Sequence, residues 1–289
     1  MKNIESLSEI LTGADKRADI VFAELFRMGA FGEEVQKIAA QFRQQVFGII
    51  NLSTSIATTL EGKEMYDEIT KLNNQVKNCY LMLRTLMNLP EFTRYSDGSY
   101  TNQLVDISTF TKDIVSTCNF LIRSTGKQIE YDPPTEKFYV SVDPDRLAVA
   151  FLNLLSNALT FTREKAQISV YIDKVGDDVT LMVSDDGYGI PTGKLDKVYM
   201  PFYSYKTSVE GAESVGLGLS VVRAFADASG AKIIMLSKEN EGTKVTLKFP
   251  HADEENTPLY LESKTSEYMS NRFSPIYLIM SVQSDLKYF

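Results

Sequence analysis

Between Glu34 and Leu86 the apolar residues recur in alternating steps of three and four. Val35, Ile38 and Phe42 begin one seam, which continues through Ile49, Leu52 and Ile56 with Gln45 as its polar member. After Gly62 a second seam runs through Met65, Ile69, Leu72, Val76, Cys79, Leu83 and Leu86. Such a rhythm belongs to helices packed along a common line. It predicts a helical hairpin over residues 31–92, with two helices of roughly 27 residues and about 40 Å each. A lone pair of this kind cannot cover both stripes, so a dimeric four-helix bundle is the expected completion, with burial against the rest of the chain as the alternative. Residues 1–30 also show helical spacing, in Ile20, Val21, Leu25, Phe26 and Met28, without revealing what they pack on.

After Pro90 and the polar turn YSDGSY the texture becomes mixed. Ile107 to Thr125 reads as a helix and Lys137 to Val142 as a strand. Pro144 to Thr162 reads as a long helix started by Asp143, whose carboxylate suits an N-cap. Ile168 to Ile172 and Val179 to Val183 alternate as adjacent antiparallel strands about Gly176 and Asp177. Gly218 to Ala228 is helical, and Lys232 to Leu236 pairs with Thr243 to Phe249 about Asn240 to Gly242. An antiparallel sheet with helices gathered on one face makes this part an α+β sandwich. It spans about residues 100–250 and leaves 251–289 as a tail. That tail opens on the polar HADEENTP and ends on an apolar run, Pro275 to Val282. The run is expected either to complete the core as an added element or to dock on the hairpin or a dimer mate.

Composition narrows the class. The chain has 289 residues, 44% of them hydrophobic, enough for a sizeable core and two domains. A net charge of −8 argues against a nucleic-acid footprint, which rewards clustered Lys and Arg. The longest apolar stretch falls far short of the roughly 18 residues that span a bilayer, so no membrane segment and a cytoplasmic location are expected. Cys79 and Cys118, each in an apolar helical pattern, read as reduced core residues.

The chemistry lies in three joints of the second half. LNLLSNALTFT, from Leu152 to Thr162, puts Asn153 and Asn157 four residues apart on one helix face inside an apolar pattern. Buried amides must be hydrogen-bonded, so they share a partner or cap something local. SDDGYGIP, Ser184 to Pro191, leaves a strand with two acids and two glycines. A carboxylate there can accept a hydrogen bond from a flat donor such as an adenine amine, though the segment also suits a plain tight turn. SVGLGL, Ser214 to Leu219, sets Gly216 and Gly218 at the mouth of a helix, where backbone N–H groups and the helix dipole suit phosphate oxygens. Each signal is weak alone.

Their order is not. NLLSNALTFT, DDGYGIP, MPFYSYKT, GLGLSVV and GTKVTLKFP together resemble the ATP-binding domain of sensor histidine kinases, in the superfamily shared with gyrase, a heat-shock chaperone family and MutL. The preceding hairpin favours the kinase branch, since its place matches that family's dimerisation and phosphoacceptor domain. The resemblance implies ATP and Mg²⁺ as cofactors. It makes Asn157 the Mg²⁺ ligand, with Asn153 one turn earlier beside the phosphates, and Asp185 the reader of the adenine amine. Gly187 and Gly189 would let the chain approach the base. Phe202 and Tyr203 match the aromatic edge of a nucleotide lid over residues 204–215, and Gly216 and Gly218 would hold phosphates. An amide oxygen is a reasonable ligand for a Mg²⁺ that keeps most of its waters.

The departures are as informative. Thr160 stands where the family usually has a phosphate-contacting Lys, with Lys206 in the lid as a substitute, and Glu213, Ser214 and Val215 replace the usual Gly-Gly-Thr. In the first helix the segment AQFRQQVFGII puts Ala40 in the place of the phosphoacceptor histidine and Gln41 in that of its acid. An imidazole attacks a phosphoryl group and the acid helps take its proton; a methyl group and an amide do neither. The only histidine, His251, follows the last strand. The losses at both positions point to divergence over a single engineered change.

The first reading is therefore a nucleotide-binding dimer of the histidine kinase family with no phosphoacceptor, a pseudo-histidine kinase or nucleotide-gated scaffold whose partner is a response regulator or an intact kinase. The second is an active ATP-dependent kinase acting on a separate protein, as anti-sigma-factor serine kinases do. Plain ATP hydrolysis ranks last, because it needs a general base and Asn153 stands where the gyrase-like members supply a Glu for that role.

Overall fold

The computed structural model describes residues 100–163, 167–201, 203, 216–252, 259–260, 271, 274–280 and 283, and before them residues 56, 76, 79–85, 87 and 88. Residues 1–30, Ala40, Gln41 and nearly all of the hairpin's first helix lie outside this set, as do most of the tail and the lid positions other than Tyr203.

Two strands predicted with a turn at Gly176 and Asp177 form β4, Ile168–Val175, and β5, Asp178–Asp185. The later pair forms β6, Lys232–Lys238, and β7, Gly242–Pro250. The order across the sheet is β2-β4-β5-β7-β6, with β2 at Ile129–Tyr131. Pairing is antiparallel except at β2, which runs parallel to β4. The sheet is thus mixed, a correction to the wholly antiparallel expectation. Strand β2 is only three residues long, too short to show a period of two. What fixes it is Asn119, whose side chain donates to the Ile129 carbonyl and accepts from the Ile129 N–H, both at 2.9 Å. A separate two-stranded ribbon joins β1, Gln103–Asp106, to β3, Tyr139–Val142.

Burial alternates along the central strands: Ile168, Val170 and Ile172 on β4, Val179, Leu181 and Val183 on β5, Val245, Leu247 and Phe249 on β7. That apolar face receives three helices, so the fold is an α+β sandwich. Helix α1, Ile107–Ile122, is capped by Asp106, which accepts from Ser108 and Thr109 N–H. Helix α2, Pro144–Thr160, is capped as expected by Asp143, which accepts from Asp145 and Arg146 N–H. Helix α3, Gly218–Ser229, places Phe225 edge-on to Phe249 with ring centroids 6.2 Å apart.

The tail returns to the domain. Tyr260 N–H bonds the Leu104 carbonyl at 2.9 Å, beside a bridge between Leu104 and Leu259. A short helix α4, Pro275–Met280, buries Ile276, Ile279 and Met280 in the main core. Its Leu278 joins a second cluster with Val76, Cys79, Tyr80 and Leu83 on the preceding helix. Both expectations for the tail therefore hold in one short element. At these seam positions the cover comes from the chain itself, the alternative to a dimer mate. Cys79 and Cys118 are free and buried, as expected. Among the described residues no helix is long and apolar enough to cross a membrane.

Candidate functional site

Helix α2 carries Asn153, Ser156, Asn157 and Thr160 at spacings that align them on one stripe. Asn153 is fully buried. Its amide nitrogen donates to the Val149 carbonyl at 3.0 Å and to Asn88, so part of its satisfaction is local, one turn back. Its Oδ1 accepts from Arg84 Nη2 at 3.0 Å, while Arg84 Nη1 donates to Ser156 Oγ at 2.9 Å. Asn153 thus sits behind the site and holds a neighbour in place. Asn157 differs: it is half-buried, its side chain makes no hydrogen bond to the described residues, and it lines a cleft. The two amides of one motif have been separated by a single turn into a supporting and an available group.

The cleft is open to solvent along one side and lined by both apolar and polar residues, as small-molecule sites usually are. Its apolar floor comes from Val183, Met235 and Val245 of the sheet. Asp185, the last residue of β5, lines the cleft with Thr243 beside it, and so do Asn157, Arg84, Gly216 and Gly218, of which Arg84 and Asn157 converge on Gly218. Asp185 Oδ1 accepts from Gly187 N–H at 2.9 Å and from Thr243 N–H at 3.3 Å. Burial nevertheless lifts its carboxyl to about 6, against those two bonds and with a smaller push from Asp186. A carboxyl shifted by desolvation in a cleft marks a candidate functional group.

The glycines divide by what surrounds them. A Cβ at Gly187 would lie 2.2 Å from the Phe161 carbonyl oxygen, and one at Gly189, where φ is +62°, 1.9 Å from that of Lys238. Both are needed because the loop presses on the end of α2 and on β6, a structural reason that needs no ligand. Gly218 is different, since a Cβ there would meet Asn153 Oδ1 at 3.1 Å, Arg84 Nη2 at 3.4 Å and Asn157 Oδ1 at 3.5 Å. It keeps open the point where these polar groups converge with the first turn of α3. That turn has no side-chain cap and no acid, so its leading N–H groups face the cleft available to an anion.

Tyr203 lines the cleft. Phe202 and Lys206 lie outside the described residues. Thr160 is turned away from the cleft: its hydroxyl bonds the Ser156 carbonyl and meets Gln283 of the tail. Two groups were missed from the sequence, Arg84 and Thr243. Thr243 contributes a backbone N–H, which leaves no signature. Arg84 did leave one, as the lone charge within Leu81–Met87, but it flanks a seam and there reads as a solvated helix face.

Residues 142–253 match the family described as histidine kinase-, DNA gyrase B- and HSP90-like ATPase. The sensor protein kinase WalK of Staphylococcus saprophyticus is 26% identical over 174 residues, 58% of this chain and 28% of its own. The aerobic respiration control sensor protein ArcB of Escherichia coli K12 is 27% identical over 217 residues, 74% of this chain and 28% of its own. The chain therefore spans under a third of the length of either relative. A crystal structure of full-length ShkA in complex with AMPPNP shares the fold, with a TM-score of 0.58 at 18% identity over 79% of this chain and 47% of that one. With a mixed sheet, three helices on one face and a cleft at the β5 end, residues 142–253 form an ATPase domain of the histidine kinase superfamily, and the relatives that share it are sensor kinases.

Proposed function

We propose that the chain binds ATP in this cleft and, with Ala40 in the phosphoacceptor place, acts as a nucleotide-gated member of a two-component system without phosphorylating itself on histidine. The observation that carries the reading is the cleft's lining, which joins a partly buried carboxyl at the end of β5 to an unengaged amide and an uncapped helix start. A purine amine donates to Asp185 while phosphates meet the α3 N–H groups. The donor set suits Mg²⁺: among the described residues no three carboxylates, histidines or cysteines converge, so a cation would draw on Asn157 Oδ1 and on ligand oxygens and water. When bound, it would screen the phosphate charge. Dimerisation through residues 31–92 and a response regulator or intact kinase as the recipient complete the proposal.

Incubation with γ-labelled ATP and Mg²⁺, with and without a response regulator and an intact kinase, followed by phosphosite mapping, tests it. Nucleotide should be bound and no label should reach histidine on this chain. Label on His251 or on any residue of the hairpin overturns the reading, and label on a separate protein favours the kinase alternative.

Asp185 adds a pH dependence. Its carboxyl titrates at about 6 in the folded chain against an ordinary 3.8, so the folded state holds a proton that the unfolded state has released between these values. The shift therefore favours folding below about 3.8, and its contribution is lost as pH rises through about 6. Ligand binding runs the other way, because an amine that donates to the carboxylate favours the ionised form. Affinity for ADP, measured by calorimetry, should fall by up to roughly tenfold per pH unit below about 6, and Asp185→Asn should flatten that slope.

A further inference from the structure

We propose that Arg84, on the helix that precedes the domain, is the cation that holds the nucleotide's phosphates, so that this helix becomes part of the site whenever the ligand is bound. The proposal rests on the nucleotide reading above. Arg84 is 9% exposed, and its hydrogen-bond acceptors, Ser156 Oγ and Asn153 Oδ1, are both neutral. Among the described residues no carboxylate pairs with it. Burial lowers the guanidinium to about 10, which leaves it charged at neutral pH. A buried charge satisfied only by neutral acceptors lacks its counter-ion, and an anion in the adjoining cleft would supply one.

The geometry favours a phosphate. Two of the five guanidinium donors are used on the α2 stripe, and the rest of the planar fork suits phosphate oxygens. Arg84 Nη2 and Asn157 Oδ1 lie 3.4 and 3.5 Å from the same point, the missing Cβ of Gly218, at the uncapped start of α3. Cation, amide and helix N-terminus thus meet at Gly218. Thr160, further along the same stripe of α2, is neutral and bonded to the Ser156 carbonyl and Gln283. The charge absent from α2 is supplied from outside it. Arg84 is also tied sideways to α2, which leaves Asn157, Gly216 and Gly218 lining open space, as a ligand contact requires and a plug does not. Leu81, Thr85 and Asn88 of the same helix line the cleft too, so its position is coupled to what the cleft holds.

Calorimetric affinities of the full chain for ATP, ADP, adenosine and tripolyphosphate, with Mg²⁺, test this in wild type, Arg84→Met and Arg84→Lys. Arg84→Met should weaken ATP and ADP at least tenfold and abolish tripolyphosphate binding, with adenosine within twofold of wild type; Arg84→Lys should recover part of the loss. An equal loss for adenosine and ATP would mean that Arg84 only shapes the cleft, and tighter ATP binding by Arg84→Met would mean that it fills the phosphate seat; either overturns the inference. Wild type that binds tripolyphosphate through Arg84 but no adenosine would sink the nucleotide reading alone. Wild type that binds none of the four sinks both. Should Arg84→Met not fold, Arg84→Gln, which keeps a donor toward Asn153, carries the same comparison.

Discussion

Asp185→Ala abolishes the rise in melting temperature that ADP or a non-hydrolysable ATP analogue produces with Mg²⁺: this is the expected result if the cleft is read correctly. A ligand that binds only the folded state at a hundred times its dissociation constant stabilises it by about 2.7 kcal/mol. For a domain of this size that is a shift of roughly 5–10 °C, well within reach of a thermal melt. Removing the carboxylate takes away the acceptor that the end of β5 presents to the cleft. It also relieves a group whose ionisation is disfavoured by burial, so the unliganded protein is spared part of the usual cost of a buried truncation. The Gly187 and Thr243 N–H groups do lose their shared acceptor. Asp185→Asn keeps that acceptor and removes only the charge, which separates the ligand effect from loop damage. Asn157→Ala should leave a shift that no longer depends on Mg²⁺, since its side chain supports nothing else among the described residues. A wild-type protein with no shift at millimolar nucleotide would leave the cleft a vestige.

Much of this fold could be read from the chain because its signals are local. Asp143 caps α2 where a carboxylate followed by proline predicts it, and the β4–β5 and β6–β7 hairpins lie where apolar alternation and turn glycines put them. Strands β1 and β2 stayed hidden because four and three residues cannot display a period, and because β2 is placed by Asn119, a side chain ten residues away. The site was half legible. Asp185, Asn157 and Gly218 follow from ordered motifs, and the cleft brings them together. The split between Asn153 and Asn157 was not legible, since identical residues one turn apart differ only in what approaches them from elsewhere. Arg84 approaches Asn153 across 69 positions of sequence, a distance that no local pattern encodes. The glycines at 187 and 189 read in the sequence as room for a ligand; the contacts with Phe161 and Lys238 give both a structural cause as well, and Gly189 also lines the cleft. The phosphoacceptor positions Ala40 and Gln41 remain a reading of sequence alone.

The largest loss of stability is expected from truncation after Pro250. The apolar end of the tail lies within the core: Ile276, Ile279 and Met280 are fully buried against the main cluster, and Leu278 closes the second. Four such side chains contribute roughly 1.5–3 kcal/mol each in transfer terms, a sum comparable with the whole net stability of about 5–15 kcal/mol typical of a folded chain. Truncation also removes the Tyr260 N–H bond to Leu104 and the edge-on contact of Tyr260 with Phe110. The shortened chain should therefore melt far below wild type or fail to fold, and lose nucleotide binding with its core. A gentler change separates the two roles of α4. Leu278→Ala removes contacts from the cluster shared with Val76, Cys79, Tyr80 and Leu83, at a cost of about 2–5 kcal/mol. Because that cluster seats the helix carrying Arg84, the variant should keep adenosine affinity while its affinity for ATP falls. A truncated chain that melts and binds nucleotide like wild type would show that α4 contributes neither to the core nor to the seat of Arg84. A Leu278→Ala chain with unchanged ATP affinity would show that the helix holds its place at the cleft without the tail.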